Sequence, residues 1–403
     1  MITPDFSARR LARLDDFLAE RYLAPGRLPG ALVLVHRHGR TAHLSVQGKA
    51  DLATGRPLAE DTIFRIYSMT KPVTSLAFMM LVEEGKVALD DPVHRFIPEW
   101  RKLAVRDAAS GAQLATRPTD RPMRMVDLLR HTSGLTYGFQ HRTPVDAAYR
   151  ARRIGDHHAE GGLDRMIADL AQLPLEFSPG AAWNYSVSTD VLGYLIGKIS
   201  GQPFDEFLRQ RLFAPLGMTD TDFHVPAEKR DRFCACYQAT AQGGMALHDP
   251  WQDSVYYQPP ALISGGGGLV STAGDYLKFC RLLLGRGTVD GVTYVGRKTF
   301  ELMTANHLPG GADLHGISVS LFSEATYAGV GFGLGFAVTL DPARTLAAGS
   351  PGDCFWGGMA STYFWIDPVE DLAVVFMTQL MPSAAYPIRR QLRTLVYAAL
   401  DAA

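Results

Sequence analysis

The sequence predicts an α+β protein in which a single antiparallel sheet is assembled from both ends of the chain. Strand-like segments occur before residue 50 and after residue 330, whereas residues 90–250 alternate helical segments with loops rich in Pro and Gly. The 403 residues are enough for two domains of usual size, and the 47% of hydrophobic residues supply a substantial core. We therefore expect a sheet that carries a helical insertion.

The N-terminal part predicts a helix followed by a β-hairpin. Residues 7–22 form an amphipathic segment, and residues 31–35 read Ala-Leu-Val-Leu-Val, which is typical of a strand. His38-Gly39 supplies a tight turn into a second strand around residues 44–46. The later predicted elements are a helix from Val73 to about Gly85, helices at 189–199 and 275–284, apolar runs at 331–340, 361–366 and 372–378, and a final helix at 383–400.

Composition and charge limit the kinds of molecule that the protein is expected to bind. The net charge is −1 and no long basic run occurs, which argues against nucleic acid and against a membrane surface. The first 22 residues lack the apolar core of a signal peptide, and no apolar run approaches the ~18 residues needed to span a bilayer. We expect a cytoplasmic protein that binds a small molecule. The sequence does not indicate its oligomeric state.

The four cysteines and the paired histidines give no sign of a metal site. Cys234 and Cys236 lack metal-ligand spacing, and the cysteines at 280 and 354 stand alone, so we expect free thiols in a reducing compartment. His157-His158 has no third ligand at a suitable spacing. No cofactor is expected.

Ser68-Met69-Thr70-Lys71 is the most informative stretch of the chain. A helix that begins near Ser68 would carry Lys71 one turn further on, on the same face as the serine. A partly desolvated amine there can stay neutral and accept the hydroxyl proton, and the first N–H groups of the helix would face the developing oxyanion. The chain has only eight lysines against thirty-two arginines, and Lys71 alone follows a serine at this spacing. The alternative is an ordinary helix start capped by Ser68.

Two further segments suggest parts of the same site. A loop of turn-forming residues, 178–184, precedes Tyr185, whose phenol we expect to have a lowered pKa beside a cationic lysine and to relay protons. Trp356-Gly357-Gly358-Met359 precedes an apolar run, where two glycines allow close approach of a backbone or substrate. The N–H of Met359 would then join that of Ser68 as an oxyanion donor. The alternatives are a half-buried tyrosine and a β-bulge.

In this order and spacing, these three features resemble the β-lactamase-like serine hydrolases: class C β-lactamases, D-Ala-D-Ala peptidases and family VIII carboxylesterases. Residues 85–92, 128–135 and 266–272 also resemble sequence segments that are usual in that family. The resemblance implies that Ser68 is the nucleophile, Lys71 its activator and Tyr185 the second proton-handling group. It also implies a β-lactamase-like fold, with an α/β domain (1–85 and 255–403), a mainly helical domain (86–254), and the site in the cleft between them.

Two departures from the family pattern bear on the substrate. Class C β-lactamases carry Lys-Thr-Gly at the strand edge, where this chain has Trp356-Gly357-Gly358. They also carry Tyr-x-Asn, where this chain has Tyr185-Ser186-Val187. Both changes remove groups that recognise a carboxylated, peptide-like substrate. They resemble family VIII esterases and favour an uncharged ester, with Trp356, Gly357, Gly358 and Tyr137 as the expected substrate-binding residues.

The sequence therefore predicts a serine carboxylesterase that acts on short-chain esters through an acyl-enzyme. Weak β-lactamase activity is compatible with this prediction. The alternatives are an acyltransferase of the same fold, a β-lactamase or D-amino peptidase, and a ligand-binding pseudoenzyme. Whether Lys71 or Tyr185 is the base is left open, because the two groups titrate as a coupled pair. No Gly-x-Ser-x-Gly elbow occurs, so His131 is expected to be a structural residue beneath the site rather than a catalytic base. The glycine run 265–268 is expected to be a close-packed turn.

Overall fold

A computed structural model describes residues 6–107, 109, 114–320 and 327–400. Residues 1–5, at the start of the 22-residue stretch that lacks the apolar core of a signal peptide, lie outside the described residues. Among the described helices, none combines the length and the apolar character that a membrane crossing requires.

The α-helices are distributed along the whole described chain. In chain order they are α1 Ala8–Leu18, α2 Thr70–Glu83, α3 Met125–Leu129, α4 Pro144–Ala151, α5 Gly162–Leu170, α6 Ser188–Ser200, α7 Phe204–Leu208, α8 Ala214–Leu216, α9 Ala273–Leu284, α10 Arg297–Thr304, α11 Leu314–Ile317, α12 Pro342–Thr345 and α13 Ile388–Ala399.

The strands are also distributed along the described chain, and those of the main sheet lie near its two ends. In chain order they are β1 Gly30–Arg37, β2 Arg40–Gly48, β3 Phe64–Arg65, β4 Ala104–Arg106, β5 Thr116–Pro118, β6 Trp183–Asn184, β7 Cys236–Ala239, β8 Met245–Asp249, β9 Val270–Ser271, β10 Thr288–Val289, β11 Val292–Thr293, β12 Ser318–Ser320, β13 Val330–Phe332, β14 Ala337–Thr339, β15 Cys354–Gly357, β16 Tyr363–Asp367, β17 Leu372–Met377 and β18 Leu380–Met381.

The main sheet joins the two ends of the chain, as the sequence predicts. Among the described residues it has seven antiparallel strands in the order β13-β14-β15-β16-β17-β1-β2. The two ends of the chain meet where β1 pairs with β17, in which Leu32 faces Met377. The α+β fold class is confirmed. The predicted turn at His38-Gly39 is also present, and both residues have the positive φ values, 48° and 75°, that a tight hairpin turn requires.

Both faces of the sheet are covered by helices. Phe364 on β16 contacts the ring of Tyr276 on α9, with 5.0 Å between centroids, whereas the next residue, Trp365, stacks on Tyr397 of α13 at 6.4 Å. Because successive strand residues point to opposite faces, α9 and α13 lie on opposite sides of the sheet. α1 packs beside α13. This arrangement explains why strands β16 and β17 are buried along their whole length.

Two segments differ from the pattern read in the sequence. The apolar run 331–340 forms two short strands, β13 and β14, because the chain reverses at Gly335, whose φ is 108°. A side chain at Gly335 would lie only 2.3 Å from Ser75 Oγ, so glycine lets this reversal pack against α2. In the middle of the chain, where no convincing strand was expected, β7 and β8 form a hairpin that β18 extends.

Candidate active site

The segment that carries Ser68 is a short 3₁₀ turn leading into α2. Tyr67 has a φ of 41°, a left-handed conformation that is uncommon for a non-glycine residue and turns the chain abruptly from β3 into the helix. The turn is held by the hydroxyl of Tyr276, which donates a 2.9 Å hydrogen bond to the carbonyl of Met69. Ser68 is thereby presented at the helix start, as the sequence predicts.

Lys71 lies beside Ser68 in a fully buried position. Its Nζ is 3.2 Å from Ser68 Oγ and donates a 2.6 Å hydrogen bond to the carbonyl of Gly266. The side chain is 1% exposed, and this burial lowers its pKa from 10.5 to about 7, against an opposing effect of the Asp190 carboxylate. Near neutral pH, a large share of Lys71 is therefore the free amine.

Tyr185 is brought to the same point by the loop that follows β6. Its phenol is hydrogen-bonded to Ser68 and accepts a 3.2 Å bond from Trp356 Nε1. The Lys71 ammonium lies 4.4 Å from the centre of the Tyr185 ring. The prediction that the lysine lowers the pKa of this phenol is wrong: burial raises the pKa of Tyr185 and outweighs its hydrogen bonds. Tyr185 is a protonated phenol at neutral pH.

The two glycines after Trp356 are required for different reasons. A methyl group at Gly358 would lie 2.4 Å from the carbonyl oxygen of Ile66, so the end of β15 is pressed against the backbone that leads to Ser68. A methyl group at Gly357 would lie 2.5 Å from Nη2 of Arg389. The missing side chains thus make room for protein atoms, and contact of these glycines with a substrate stays a prediction. Met359 follows directly, with 42% of its side chain exposed.

Tyr137 is the remaining residue that the sequence singled out. Its ring centroid lies 5.3 Å from that of Tyr185 and stacks at 4.7 Å on Phe139, which is 49% exposed. Lys71 Nζ lies 5.3 Å from the Tyr137 ring. The structure therefore brings Ser68, Lys71, Tyr185, Trp356 and Tyr137 into one cluster, with an aromatic wall leading towards solvent.

Asp190 is a site residue that the sequence analysis missed. Its carboxylate accepts hydrogen bonds from the N–H of Gly266, at 3.0 Å, and from the hydroxyl of Ser264. Gly266 in turn holds Lys71, so Asp190 fixes the loop that positions the amine. In the sequence, Asp190 stands in the first turn of α6, where an acid is expected for the helix dipole alone, so nothing distinguished it. The glycine run is a close-packed turn, but its carbonyl also binds Lys71.

His131 lies beneath Tyr185 in a chain of buried hydroxyl groups. Its ring is 5.0 Å from that of Tyr185, and its Nδ1 is 3.1 Å from Ser186 Oγ. Ser188 then bridges Ser186 and Ser133, with 2.7 Å between oxygens in each step. Burial holds the pKa of His131 well below its ordinary range, so the ring is neutral. The position agrees with a supporting role.

A model of the Beta-lactamase family matches residues 16–398. The chain belongs to this family. It is 39% identical over 360 residues to protein Rv1367c of Mycobacterium tuberculosis, covering 89% of this chain and 87% of that protein. It is 32% identical over 411 residues to esterase EstB of Burkholderia gladioli, covering 97% and 96%. The affiliation with the family VIII esterases of the β-lactamase-like serine hydrolases is confirmed.

Among solved structures, the fold is similar to EstCE1, described as a hydrolase with promiscuous acyltransferase activity. The TM-score is 0.79 at 27% sequence identity, with 97% of this chain and 98% of that chain covered. The β-lactamase-like fold is therefore confirmed, and with the esterase relatives it makes the protein a hydrolase of this serine hydrolase family.

Proposed function

We propose that the protein is a serine carboxylesterase that hydrolyses short-chain, uncharged esters through an acyl-enzyme on Ser68. The observation that carries this proposal is the contact between the buried Lys71 Nζ and Ser68 Oγ, at 3.2 Å, with a lysine pKa of about 7. A free amine at this distance can accept the serine proton at neutral pH. The family's esterase relatives agree with this chemistry.

Lys71, rather than Tyr185, is the base in this proposal. A neutral lysine has one lone pair and two N–H donors, so it can donate to the Gly266 carbonyl and accept from Ser68 at the same time. Tyr185 cannot compete for the serine proton, because its raised pKa keeps the phenol protonated. The phenol is instead poised to donate a proton.

The oxyanion is held by the N–H groups of Ser68 and Met359. Neither group donates to a carbonyl in the described turns and loops, whereas their neighbours Met69 and Gly358 do, at 3.0 and 2.9 Å. The close packing of Gly358 against the Ile66 carbonyl supports this assignment, because it holds the end of β15 against the turn that carries Ser68. Two preorganised donors at this point would stabilise the charge that develops on the ester oxygen.

The reaction then proceeds in two steps with balanced proton transfers. Ser68 Oγ adds to the ester carbonyl while its proton passes to Lys71. Tyr185 gives its proton to the departing alkoxide and is reprotonated from Lys71, which leaves the acyl-enzyme and the free alcohol. Water adds to the acyl group, gives a proton back along the same route to Ser68, and releases the acid.

An uncharged substrate follows from the side chains that face this cluster. By the family resemblance, Trp356-Gly357-Gly358 stands at the place of Lys-Thr-Gly in class C β-lactamases, so an indole takes the place of the cation that would hold a substrate carboxylate. Val187, at the position of the amide-binding Asn, is fully buried and offers no hydrogen bond. Tyr137 and Phe139 present aromatic surface to an acyl or alkoxy group.

The test compares p-nitrophenyl butyrate with nitrocefin for the wild-type protein and for Ser68→Ala. We expect rapid ester cleavage, slight nitrocefin turnover, and loss of both activities in the variant. Fast nitrocefin cleavage would identify a β-lactamase. Ester cleavage that survives the loss of Ser68 would overturn the mechanism, and absence of a covalent adduct with an active-site phosphonate would indicate a ligand-binding protein.

An acyltransferase is the second candidate, because EstCE1, which matches 97% of this chain, is a hydrolase with promiscuous acyltransferase activity. In that reaction an alcohol replaces water in the second step. The test raises the concentration of 1-butanol in the p-nitrophenyl butyrate assay and measures butyl butyrate against butyrate. If the protein is a hydrolase, butyrate should remain the main product. Saturable formation of butyl butyrate at millimolar 1-butanol would identify a transferase.

A further inference from the structure

Arg389 is a buried cation directly behind the end of β15. It is the second residue of α13, and its side chain lies against Gly357 and Gly358. Only 8% of the residue is exposed. Its Nη2 donates to two carbonyl oxygens, that of Gly358 at 2.8 Å and that of Thr362 at 3.1 Å.

The charge of Arg389 is not balanced by an acid. Within the described residues it forms no ion pair with Asp or Glu, whereas Arg393, one turn further along α13, pairs with Asp353. Burying a cation without a carboxylate is unfavourable, and a purely structural arginine would be better placed opposite an acid, as Arg393 is. The guanidinium lies 5.3 Å from the centre of the Tyr363 ring, which carries no net charge, so its positive field also acts on the groups in front of it.

The carbonyl that Arg389 binds belongs to a particular peptide unit. The C=O of Gly358 and the N–H of Met359 share one planar group, in which they point in opposite directions. A guanidinium fixed at the carbonyl end therefore fixes the direction of the N–H. It also polarises the peptide, which makes that N–H a stronger donor.

We propose that Arg389 is a positioning residue of the oxyanion site, which orients and polarises the Gly358–Met359 peptide so that the Met359 N–H faces the ester oxygen. Gly357 is needed for this arrangement, because any side chain there would collide with the guanidinium. The proposal rests on the proposed function, in which Met359 supplies one of the two oxyanion donors.

The charge of Arg389 also acts on Tyr185. Burial raises the pKa of this phenol, and Arg389 opposes that rise in small part. A field that favours the tyrosinate also favours the anion of a tetrahedral intermediate on Ser68, which lies within hydrogen-bonding reach of that phenol.

The experiment compares Arg389→Ala and Arg389→Lys with a control, Arg390→Ala. Arg390 is the next residue of α13, is half-buried, and donates to the carbonyl of Leu346, remote from the site. The probe is 1-butaneboronic acid, whose boron accepts Ser68 Oγ and becomes a tetrahedral anion that imitates the intermediate. Its dissociation constant is measured beside kcat and KM for p-nitrophenyl butyrate and beside the Tm of each variant.

We expect Arg389→Ala to lose about 10- to 100-fold in kcat, somewhat less than the loss of an oxyanion donor itself. KM should stay within about twofold, and the boronate affinity should fall by the same factor as kcat. The kcat of Arg389→Lys should lie between those of the wild-type protein and Arg389→Ala. Added methylguanidinium should restore part of the kcat of Arg389→Ala. Arg390→Ala should match the wild-type protein.

Three results would overturn the inference. They are a kcat and boronate affinity of Arg389→Ala within twofold of wild type, a loss of kcat without a loss of boronate affinity, or a loss that merely follows the unfolded fraction. If Arg389→Ala does not fold, the same criteria apply to Arg389→Lys. A wild-type protein that binds the boronate through Ser68 without hydrolysing esters would refute the proposed function, and the boronate affinities alone would then decide on Arg389.

Discussion

Replacing Lys71 by methionine should abolish ester hydrolysis and yet stabilise the folded protein at acidic and neutral pH. Methionine has a similar length and no charge, so it fills the buried site without the cost of desolvating an amine. An active-site residue that is unfavourable for the fold is expected where reactivity needs a neutral lysine. The variant thus tests whether Lys71 is as deeply buried in solution as the structure has it.

The size of the effect follows from the lowered pKa. A tenfold change in proton affinity corresponds to about 1.4 kcal/mol, so a fall from 10.5 to about 7 makes native Lys71 unfavourable by about 5 kcal/mol at pH 6. Methionine also leaves the carbonyl of Gly266 without its donor, which costs about 1–3 kcal/mol. We expect the free energy of unfolding to rise by about 2–4 kcal/mol at pH 6.

The gain should depend on pH in a defined direction. Between pH 7 and 10.5 the unfolded chain holds a proton on Lys71 that the native protein has lost, so raising the pH stabilises the wild-type protein. The methionine variant lacks this rise in stability with pH. Its advantage should therefore shrink by about 2–3 kcal/mol between pH 6 and pH 9.

Urea unfolding followed by tryptophan fluorescence at pH 6, 7.5 and 9 measures both quantities. Lys198→Met, which removes an exposed lysine from the last turn of α6, is the matched control and should show neither the gain nor its pH dependence. A Lys71→Met protein that is less stable than wild type at pH 6, or whose advantage is the same at pH 6 and 9, would refute the reasoning.

Three further predictions concern the reaction. The kcat/KM for p-nitrophenyl butyrate should rise with pH through about 7 as Lys71 loses its proton, and a pH–rate profile without a rise there would exclude this base. Asp190→Asn removes the charge that raises the lysine pKa, so stopped-flow acylation rates measured against pH should show the same rise at lower pH; an unmoved midpoint would contradict the coupling. Tyr185→Phe should slow hydrolysis of ethyl butyrate at least about tenfold more than that of p-nitrophenyl butyrate, because ethoxide needs a proton to leave and p-nitrophenolate does not; equal losses in a titrimetric assay would remove the acid role.

The main sheet and the cluster at Ser68 were largely predictable from the sequence. Strand signals are local: alternating or continuous apolar residues and a turn such as His38-Gly39 are enough to place β1, β2, β16 and β17. The Ser68–Lys71 contact follows from helical spacing alone. The role of Tyr185 could be predicted only from the resemblance to a family, because nothing within its own segment distinguishes it from an ordinary half-buried tyrosine.

The remaining features depend on distant contacts that leave no local pattern. Asp190 holds Gly266, 76 positions away in the chain. Arg389 on α13 reaches Gly358, which lies 31 positions earlier, just after β15, and an arginine near a helix start does not predict such a contact. The pKa of Tyr185 was predicted in the wrong direction because the sequence shows a neighbouring charge but not the extent of burial, which is the larger effect here.

The strand order also decides when, during synthesis, the main sheet can be completed. β1 lies between β2 and β17, so a nascent chain exposes one edge of β1 until residues 372–377 have left the ribosome. Met359 and Arg389 are also translated long after Ser68 and Lys71. An unfinished chain therefore carries Ser68 and Lys71 without the late-translated residues of the proposed site, and over the same period β1 keeps an unpaired edge that favours aggregation.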